Sequence, residues 1–341
     1  MKAVVIHGAG DLRVQEREVP TPGTGQVLVA MEFGGICGSD LAYYAHGTSG
    51  TAILRTPMIL GHEVAGRIAQ AGAGVSGLTE GTAVTMHPAR YGPGPLAPHL
   101  GERTNLHHDV RYLGSAAPTP HQDGAFAQYV LAEAGQIRVL PPGVSTRHGA
   151  VAEPYFGVAL HAVHRAGSVQ GQDVLVNGVG PIGALCVAAA RARGAASVTA
   201  ADIAPAALQI AAELGADHTV NVAAGEELPA DVPVVIEASG AAAALGPVLA
   251  AVARGGVVVQ VGNLPLTDRP AVLGNLVTRE VEWRGSYRFV DEITDAVALL
   301  AGQVDVEPLL THTFSLDQAR LAFDTAADPG SGAGKVLLDL G

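Results

Sequence analysis

Lysine is nearly absent from this chain. Of 341 residues only Lys2 and Lys335 carry an ammonium, and the other 18 of the 20 basic residues are arginine. An enzyme that works through an interior lysine, as Schiff base or proton relay, has no candidate except these two residues at the chain ends. Cysteine is as scarce: Cys37 and Cys186 sit in unrelated contexts and cannot build a disulfide framework. Aromatic residues are few, 1 Trp, 7 Tyr and 6 Phe, which leaves Ala, Val and Leu to fill the core. Positive charge is in deficit, with 20 basic against 32 acidic residues and a net charge of −12. That field repels phosphate backbones and excludes nucleic acid as a main partner. No apolar run approaches the roughly 20 residues that span a bilayer, so no membrane partner is expected. The opening residues 1–6 meet His7-Gly8 at once and form no signal-peptide core. The sequence reads as a soluble, cytoplasmic protein.

What is present is a large apolar fraction, 48% hydrophobic against 15% charged, which excludes disorder. The length suits two domains. The first 140 residues are rich in Gly, Pro and short β-branched runs, the texture of short strands and irregular loops. Residues 88–108, with Gly92-Pro93-Gly94-Pro95, form the least regular stretch. From residue 153 the texture changes. Pro154 opens a helix-compatible run to residue 165, and then strand-like runs at 174–177, 198–202, 218–222, 234–237, 257–261 and 281–284 alternate with helix-like runs at 184–193, 205–214, 241–253 and 271–278. Six strands alternating with helices predict an α/β, doubly wound parallel sheet. The tail beyond residue 291 holds a helix, a strand-like run at 309–314, a second helix and a strand at 335–340, too little for a core of its own, so it is expected to return to the first domain.

Gly178-Val179-Gly180-Pro181-Ile182-Gly183 matches G-x-G-x-x-G. With 44 glycines in the chain the pattern alone is weak, but it follows a strand and opens a helix as its mechanics demand. Gly178, Gly180 and Gly183 would permit the tight turn, the approach of a pyrophosphate and the packing of helix on strand. The helix N-terminus supplies amide donors and positive partial charge. Asp202 ends the second strand about 20 residues on, where a carboxylate accepts from the adenosine ribose hydroxyls. A 2′-phosphate would face this carboxylate, and Ile203-Ala204-Pro205-Ala206-Ala207 offers no cation to receive it, so NAD is favoured over NADP. Cys186 lies among Ala and Val and reads as a small core residue.

Cys37 stands among small residues in Gly34-Gly35-Ile36-Cys37-Gly38-Ser39-Asp40; His62 and Glu63 follow, and Glu153 stands at the domain junction. A catalytic zinc needs three N, S or O ligands and an open position, which Cys, His and carboxylate provide. Here a resemblance enters. Gly61-His62-Glu63-Val64-Ala65-Gly66 with Gly72 and Val75 fits the G-H-E-x-x-G-x5-G-x-x-V pattern of zinc-containing alcohol dehydrogenases. With Cys37-Gly38-Ser39-Asp40 upstream and the dinucleotide motif downstream, the chain resembles a medium-chain zinc dehydrogenase over its whole length. Glu153-Pro154 and residues 284–289 resemble the polyol branch, and residues 37–44, 57–64 and 111–115 are most similar to the L-idonate 5-dehydrogenases within it.

The resemblance implies a GroES-like, mostly-β catalytic domain from residues 1–152 and 288–341, with a Rossmann domain inserted at 153–287. It implies one catalytic zinc per subunit, held by Cys37, His62 and Glu153 with Glu63 adjacent, the two carboxylates sharing the role. Ser39 would accept the substrate alcohol proton. Tyr43, Glu153, Arg288 and Phe289 match substrate-contacting positions. Pro181, Ile182, Asp202, Val261, Gly262, Asn263, Ser286, Tyr287 and Arg288 match cofactor contacts. The implied activity is reversible, NAD-linked oxidation of a secondary alcohol on a polyol or sugar acid, best read as L-idonate to 5-ketogluconate. A sorbitol or xylitol enzyme is the alternative, and a nucleotide-binding protein without catalysis is another, opposed by the intact set of Cys37, Ser39, His62, Glu63 and Glu153. The family also implies a homodimer or homotetramer. Two departures stand out. Residues 88–108 lack the four cysteines that often hold a structural zinc, so none is expected. Ala42 replaces a histidine that frequently passes the proton to solvent, so the relay would end at water or at the cofactor ribose.

Overall fold

A computed structural model describes residues 1–341, apart from the side chains of Glu153 and Pro154. The chain divides into two compact units. Met1–Pro154, Ile293–Ala301 and Leu310–Gly341 form the first, and Tyr155–Glu292 with Gly302–Leu309 the second. Of the C-terminal tail, Ile293–Ala301 and Leu310–Gly341 lie in the unit that the N-terminus begins, and Gly302–Leu309 lies in the second. The segment 288–292, assigned above with the first domain, stays with the second unit. The reason is packing: the Phe289 ring lies against Gly157, and Glu292 bonds His161.

In the first unit β1 (Gln26–Gly35) runs through the middle of a seven-stranded sheet. Its alternating Val27, Val29 and Met31 are buried, each such side chain contributing about 1.5–3 kcal/mol. The chain leaves β1 directly into α1 (Gly38–His46), with Cys37 as N-cap and Gly47 closing the helix in a left-handed conformation at φ 67°. The next long strand, β2 (Glu63–Ala71), returns antiparallel to β1 and sets Glu63 opposite Gly35. On the other side of β1 the last strand of the chain, Val336–Asp339, pairs with Leu337 opposite Gly35. Two segments far apart in sequence therefore flank one glycine. The irregular stretch 88–108 holds a short strand, Ala89–Tyr91, and two 3₁₀ turns.

A π-helical turn, Ala152–Phe156, carries the chain out of the first unit and into α2 (Gly157–Ala166) of the second. There follow β3 (Asp173–Asn177), α3 (Pro181–Ala192), β4 (Ser197–Asp202), β5 (His218–Asn221), β6 (Val232–Glu237), β7 (Val252–Gln260) and β8 (Glu282–Gly285). They form one sheet in the order β5-β4-β3-β6-β7-β8, all pairs parallel. This is the doubly wound order that places a ligand crevice at the carboxyl end of β3. Each of the six expected runs forms its strand. α3 begins at Pro181 rather than at residue 184, because proline already has helical φ and lacks only an N–H that the first turn cannot use. The expected helix 241–253 is shorter, Leu245–Ala251, since β-branched Val252 joins the ladder opposite Val232. In the tail, the expected strand 309–314 forms at His312–Ser315 instead. The tail helix before it, α4 (Glu292–Leu300), opens at a carboxylate. No helix among the described residues is long and apolar enough to cross a membrane.

Candidate active site

The first unit gathers Cys37, His62 and Glu63. Each presents one donor atom, and the three atoms lie within 4.8 Å of one another. Asp40 holds the frame. Fully buried at the third position of α1, its Oδ2 accepts the Cys37 N–H at 3.0 Å and its Oδ1 accepts the Gly61 N–H at 3.2 Å. One carboxylate thereby fixes both the cap that carries the thiol and the turn that carries His62 and Glu63. The His62 ring is further bounded by Tyr112, edge-on at 5.5 Å.

The donors fit a cation. Glu63 Oε1 is buried and has no hydrogen-bond partner. Such an atom costs about 1–3 kcal/mol when left unpaired, a cost that a divalent ion coordinated here would cancel. His62 Nδ1 lies 3.9 Å from Asp40 Oδ1. Thiolate, imidazole and carboxylate are a zinc donor set. Cys37 itself is half-buried, so the cluster stays open on one side, and Ser39 lies half-buried in the first turn of the same helix.

Glu63 has a second partner that sequence reading missed. Lys335 is 1% exposed; its Nζ pairs with the Glu63 carboxylate and donates to the Ile36 carbonyl at 2.6 Å. Burial pushes the Glu63 carboxyl well above the ordinary range, the Lys335 ammonium opposes that shift, and the neighbouring Cys37 adds to it. The two side chains meet across β1 because residue 35 is glycine. A Cβ there would lie 2.5 Å from Glu63 Oε2 and 2.6 Å from Lys335 Cε. Of the two lysines left as candidates, Lys335 is thus an interior one.

The second unit builds the dinucleotide turn. Gly180 caps α3, and Gly183 packs so closely on the strand exit that a Cβ would lie 1.9 Å from the Gly178 carbonyl oxygen. Asp202 Oδ2 accepts the Val179 N–H at 2.7 Å, and Oδ1 accepts the Ile203 and Ala204 N–H groups at 2.7 and 2.9 Å. An ionised carboxylate has about four acceptor sites, so about one remains for a hydroxyl donor. Beside this turn, buried Glu237 accepts from Asn177 Nδ2 at 2.6 Å and from the Ser239 and Gly240 amides at 2.8 and 3.1 Å. Burial pushes its carboxyl up against these donors. Val261 and Gly262 both donate their N–H groups to the Glu237 carbonyl, which sets this loop, with Asn263, at the carboxyl end of the sheet. After β8, Ser286 Oγ is buried without a partner, an open place for a cofactor polar group.

The remaining expected residues divide. Tyr43 is 2% exposed and its hydroxyl accepts the Ala116 N–H at 3.0 Å. Phe289 is likewise 2% exposed, against Gly157. Arg288 holds its guanidinium 4.9 Å from the centre of the Tyr287 ring. The Glu153 side chain lies outside the described residues.

Comparison with known proteins agrees with this layout. Residues 23–142 match the alcohol dehydrogenase GroES-like domain, and residues 181–302 match the zinc-binding dehydrogenase model. The chain is 37% identical to sorbitol dehydrogenase of Gallus gallus over 335 residues, which cover 95% of this chain and 92% of that protein. It is 35% identical to L-idonate 5-dehydrogenase (NAD(P)(+)) of Escherichia coli over 336 residues, 96% of this chain and 95% of that one. The crystal structure of L-idonate 5-dehydrogenase from E. coli superposes with a TM-score of 0.92, covering 99% of this chain and 97% of that one at 34% identity. A zinc-binding dehydrogenase from Sinorhizobium meliloti bound to NADP superposes at 0.89, with 99% and 98% covered and 30% identity. A GroES-like unit carrying a Cys-His-Glu cluster, together with a Rossmann unit holding a complete dinucleotide turn, makes this chain a member of the zinc-binding dehydrogenase family, an oxidoreductase of CH–OH groups.

Proposed function

We propose that the protein oxidises a secondary alcohol of a sugar acid with NAD, L-idonate to 5-ketogluconate. The observation that carries the catalytic part is the convergence of Cys37, His62 and Glu63, with the buried Glu63 Oε1 left unpartnered. When bound, zinc supplies a Lewis acid and NAD a hydride acceptor. Cys37, His62 and Glu63, with Glu153, are the residues proposed to hold the metal, and Asp40 keeps the first two in place. Ser39 takes the proton from the substrate hydroxyl. Ala42 gives that proton no imidazole to travel through, so it leaves by water or the cofactor ribose. Gly178, Gly180, Pro181, Ile182 and Gly183 receive the pyrophosphate, and Asp202 the ribose, where its charge repels a 2′-phosphate. Val261, Gly262, Asn263, Ser286 and Tyr287 complete the cofactor site. A homodimer or homotetramer is the proposed working form, read by light scattering.

Arg288 is the proposed partner of the substrate carboxylate, since a guanidinium grips it bidentately. A charge-assisted contact is worth about 1.5–3 kcal/mol, or roughly tenfold to 150-fold. L-Idonate should exceed sorbitol in kcat/KM by about that factor in the wild type, and Arg288→Ala should remove the advantage. The second reading, a neutral-polyol enzyme, is favoured by the 37% identity to a sorbitol dehydrogenase. Equal losses for both substrates in Arg288→Ala, or sorbitol as the better substrate, would establish that reading. Use of NADP as efficiently as NAD would overturn the role given to Asp202.

A further inference from the structure

Apart from the Cys37 cluster, one other set of three metal-type donors converges among the described residues, and the reaction has no use for it. We propose that His161, His164 and Glu292 form a second binding site for a divalent transition-metal cation. All three belong to the second unit. His161 and His164 stand three residues apart on α2, a spacing that puts both rings on one face of the helix. Glu292 meets them from the head of α4. Its Oε1 lies 2.7 Å from His161 Nδ1 and 3.4 Å from His164 Nδ1, and the three donor atoms fall within 4.8 Å of one another.

A tetrahedral ion at about 2.0–2.2 Å from N and O ligands sets those atoms about 3.3–3.6 Å apart. The 3.4 Å separation already falls in that range, and the 2.7 Å one must open by less than about 1 Å, which a small turn of the rings supplies. Two imidazoles and one carboxylate suit zinc, nickel, cobalt or copper, and not calcium or magnesium. The carboxylate is already oriented, because its Oε2 accepts the Val290 N–H at 2.7 Å. The site has a dry side and a wet side: the His161 side chain is 4% exposed and the His164 side chain 78%. A cation can therefore enter past His164 and come to rest against His161. Three protein ligands leave a position for water. Without metal, the same residues form a hydrogen-bonded set in which both rings donate to one oxygen.

The test is a titration of metal-stripped, full-length protein with cobalt(II) chloride, followed by visible absorption and metal analysis. The wild type should take two equivalents per chain, one with the charge-transfer band of a cobalt–thiolate bond and one with d–d bands alone. Cys37→Ser should lose the first and keep the second. His164→Ala, a change at an exposed position, should keep the charge-transfer band, which also reports a folded first unit, and should weaken the thiolate-free equivalent at least tenfold. Glu292→Gln, which can still accept hydrogen bonds, should weaken it similarly. A wild type that binds no thiolate-free equivalent would overturn the proposal, as would a His164→Ala protein that binds it as tightly as the wild type. Neither result depends on the substrate or on the role given to Cys37.

Discussion

Replacing Lys335 by methionine keeps the chain length of the side chain and removes only the ammonium. Glu63 is then left at 0% exposure with no cation beside it. Breaking a buried ion pair from one side costs about 3–5 kcal/mol, because the abandoned charge has no solvent. At about 1.4 kcal/mol per decade, this is a factor of about 10² to 10⁴ in the unfolding equilibrium. The double variant Lys335→Met/Glu63→Gln removes both charges, and most of the loss should return, since a neutral pair in the same space has little to desolvate. The choice of probe matters. The single tryptophan, Trp283, lies in β8 of the second unit, so its fluorescence reports on the wrong half of the molecule. Hydrogen exchange at the buried β1 amides of Val29 and Met31, in metal-stripped protein, reads the first unit directly. Exchange there should accelerate by about 10² to 10⁴ in Lys335→Met and return most of the way in the double variant. An acceleration below about tenfold, or a double variant no slower than the single, would refute the reasoning.

Asp40→Asn retains size but offers one acceptor oxygen in place of two, so its amide faces either the Cys37 or the Gly61 N–H. Zinc affinity, measured by chelator competition, should fall about 10- to 100-fold, and an unchanged affinity would contradict the positioning role. Glu237 holds its proton above the ordinary carboxyl range because it is buried, so its contribution is fully present below that range and is lost as pH rises through the raised folded value. In urea unfolding, Glu237→Gln should therefore gain on the wild type as pH rises above the ordinary carboxyl range, and a gap constant with pH would show that burial does not govern this group. Burial also pushes the Cys186 thiol up to about 12 at 0% exposure, so iodoacetamide at pH 8 should label native protein at Cys37 alone; equal labelling of Cys186 would contradict its placement.

The second unit was legible because its information is local. β-Branched runs, helix-compatible runs and one glycine turn recur in an order that only a parallel, doubly wound sheet satisfies, and proline and valine moved the element ends by a few residues. The convergence of Cys37, His62 and Glu63 was legible for the same reason, as Cys37 and the Gly61-His62-Glu63 turn carry their donors in short motifs. Lys335 was not. Its meeting with Glu63 depends on two strands pairing on either side of Gly35, a register set by residues some 300 positions apart, and no local pattern distinguishes it from a solvated terminal lysine. Asp40 was visible as a motif letter, but its double use as acceptor requires the three-dimensional turn. Tyr43 and Phe289 show how little a motif letter says of a side chain's surroundings. An aromatic beside a site motif can line a pocket or fill a core, and the sequence is the same for both; here both rings are buried. The His161–His164 spacing was plain in the chain, yet only the approach of Glu292 gives it meaning.

The account rests on Cys37, His62 and Glu63 holding the metal that serves the dehydrogenase reaction. Anomalous X-ray diffraction from crystals of active enzyme, recorded on either side of the zinc absorption edge, tests this most directly. The account predicts a zinc peak about 2.3 Å from Cys37 Sγ and about 2.0–2.1 Å from a His62 ring nitrogen. Fully active crystals with no zinc peak beside Cys37 would contradict it.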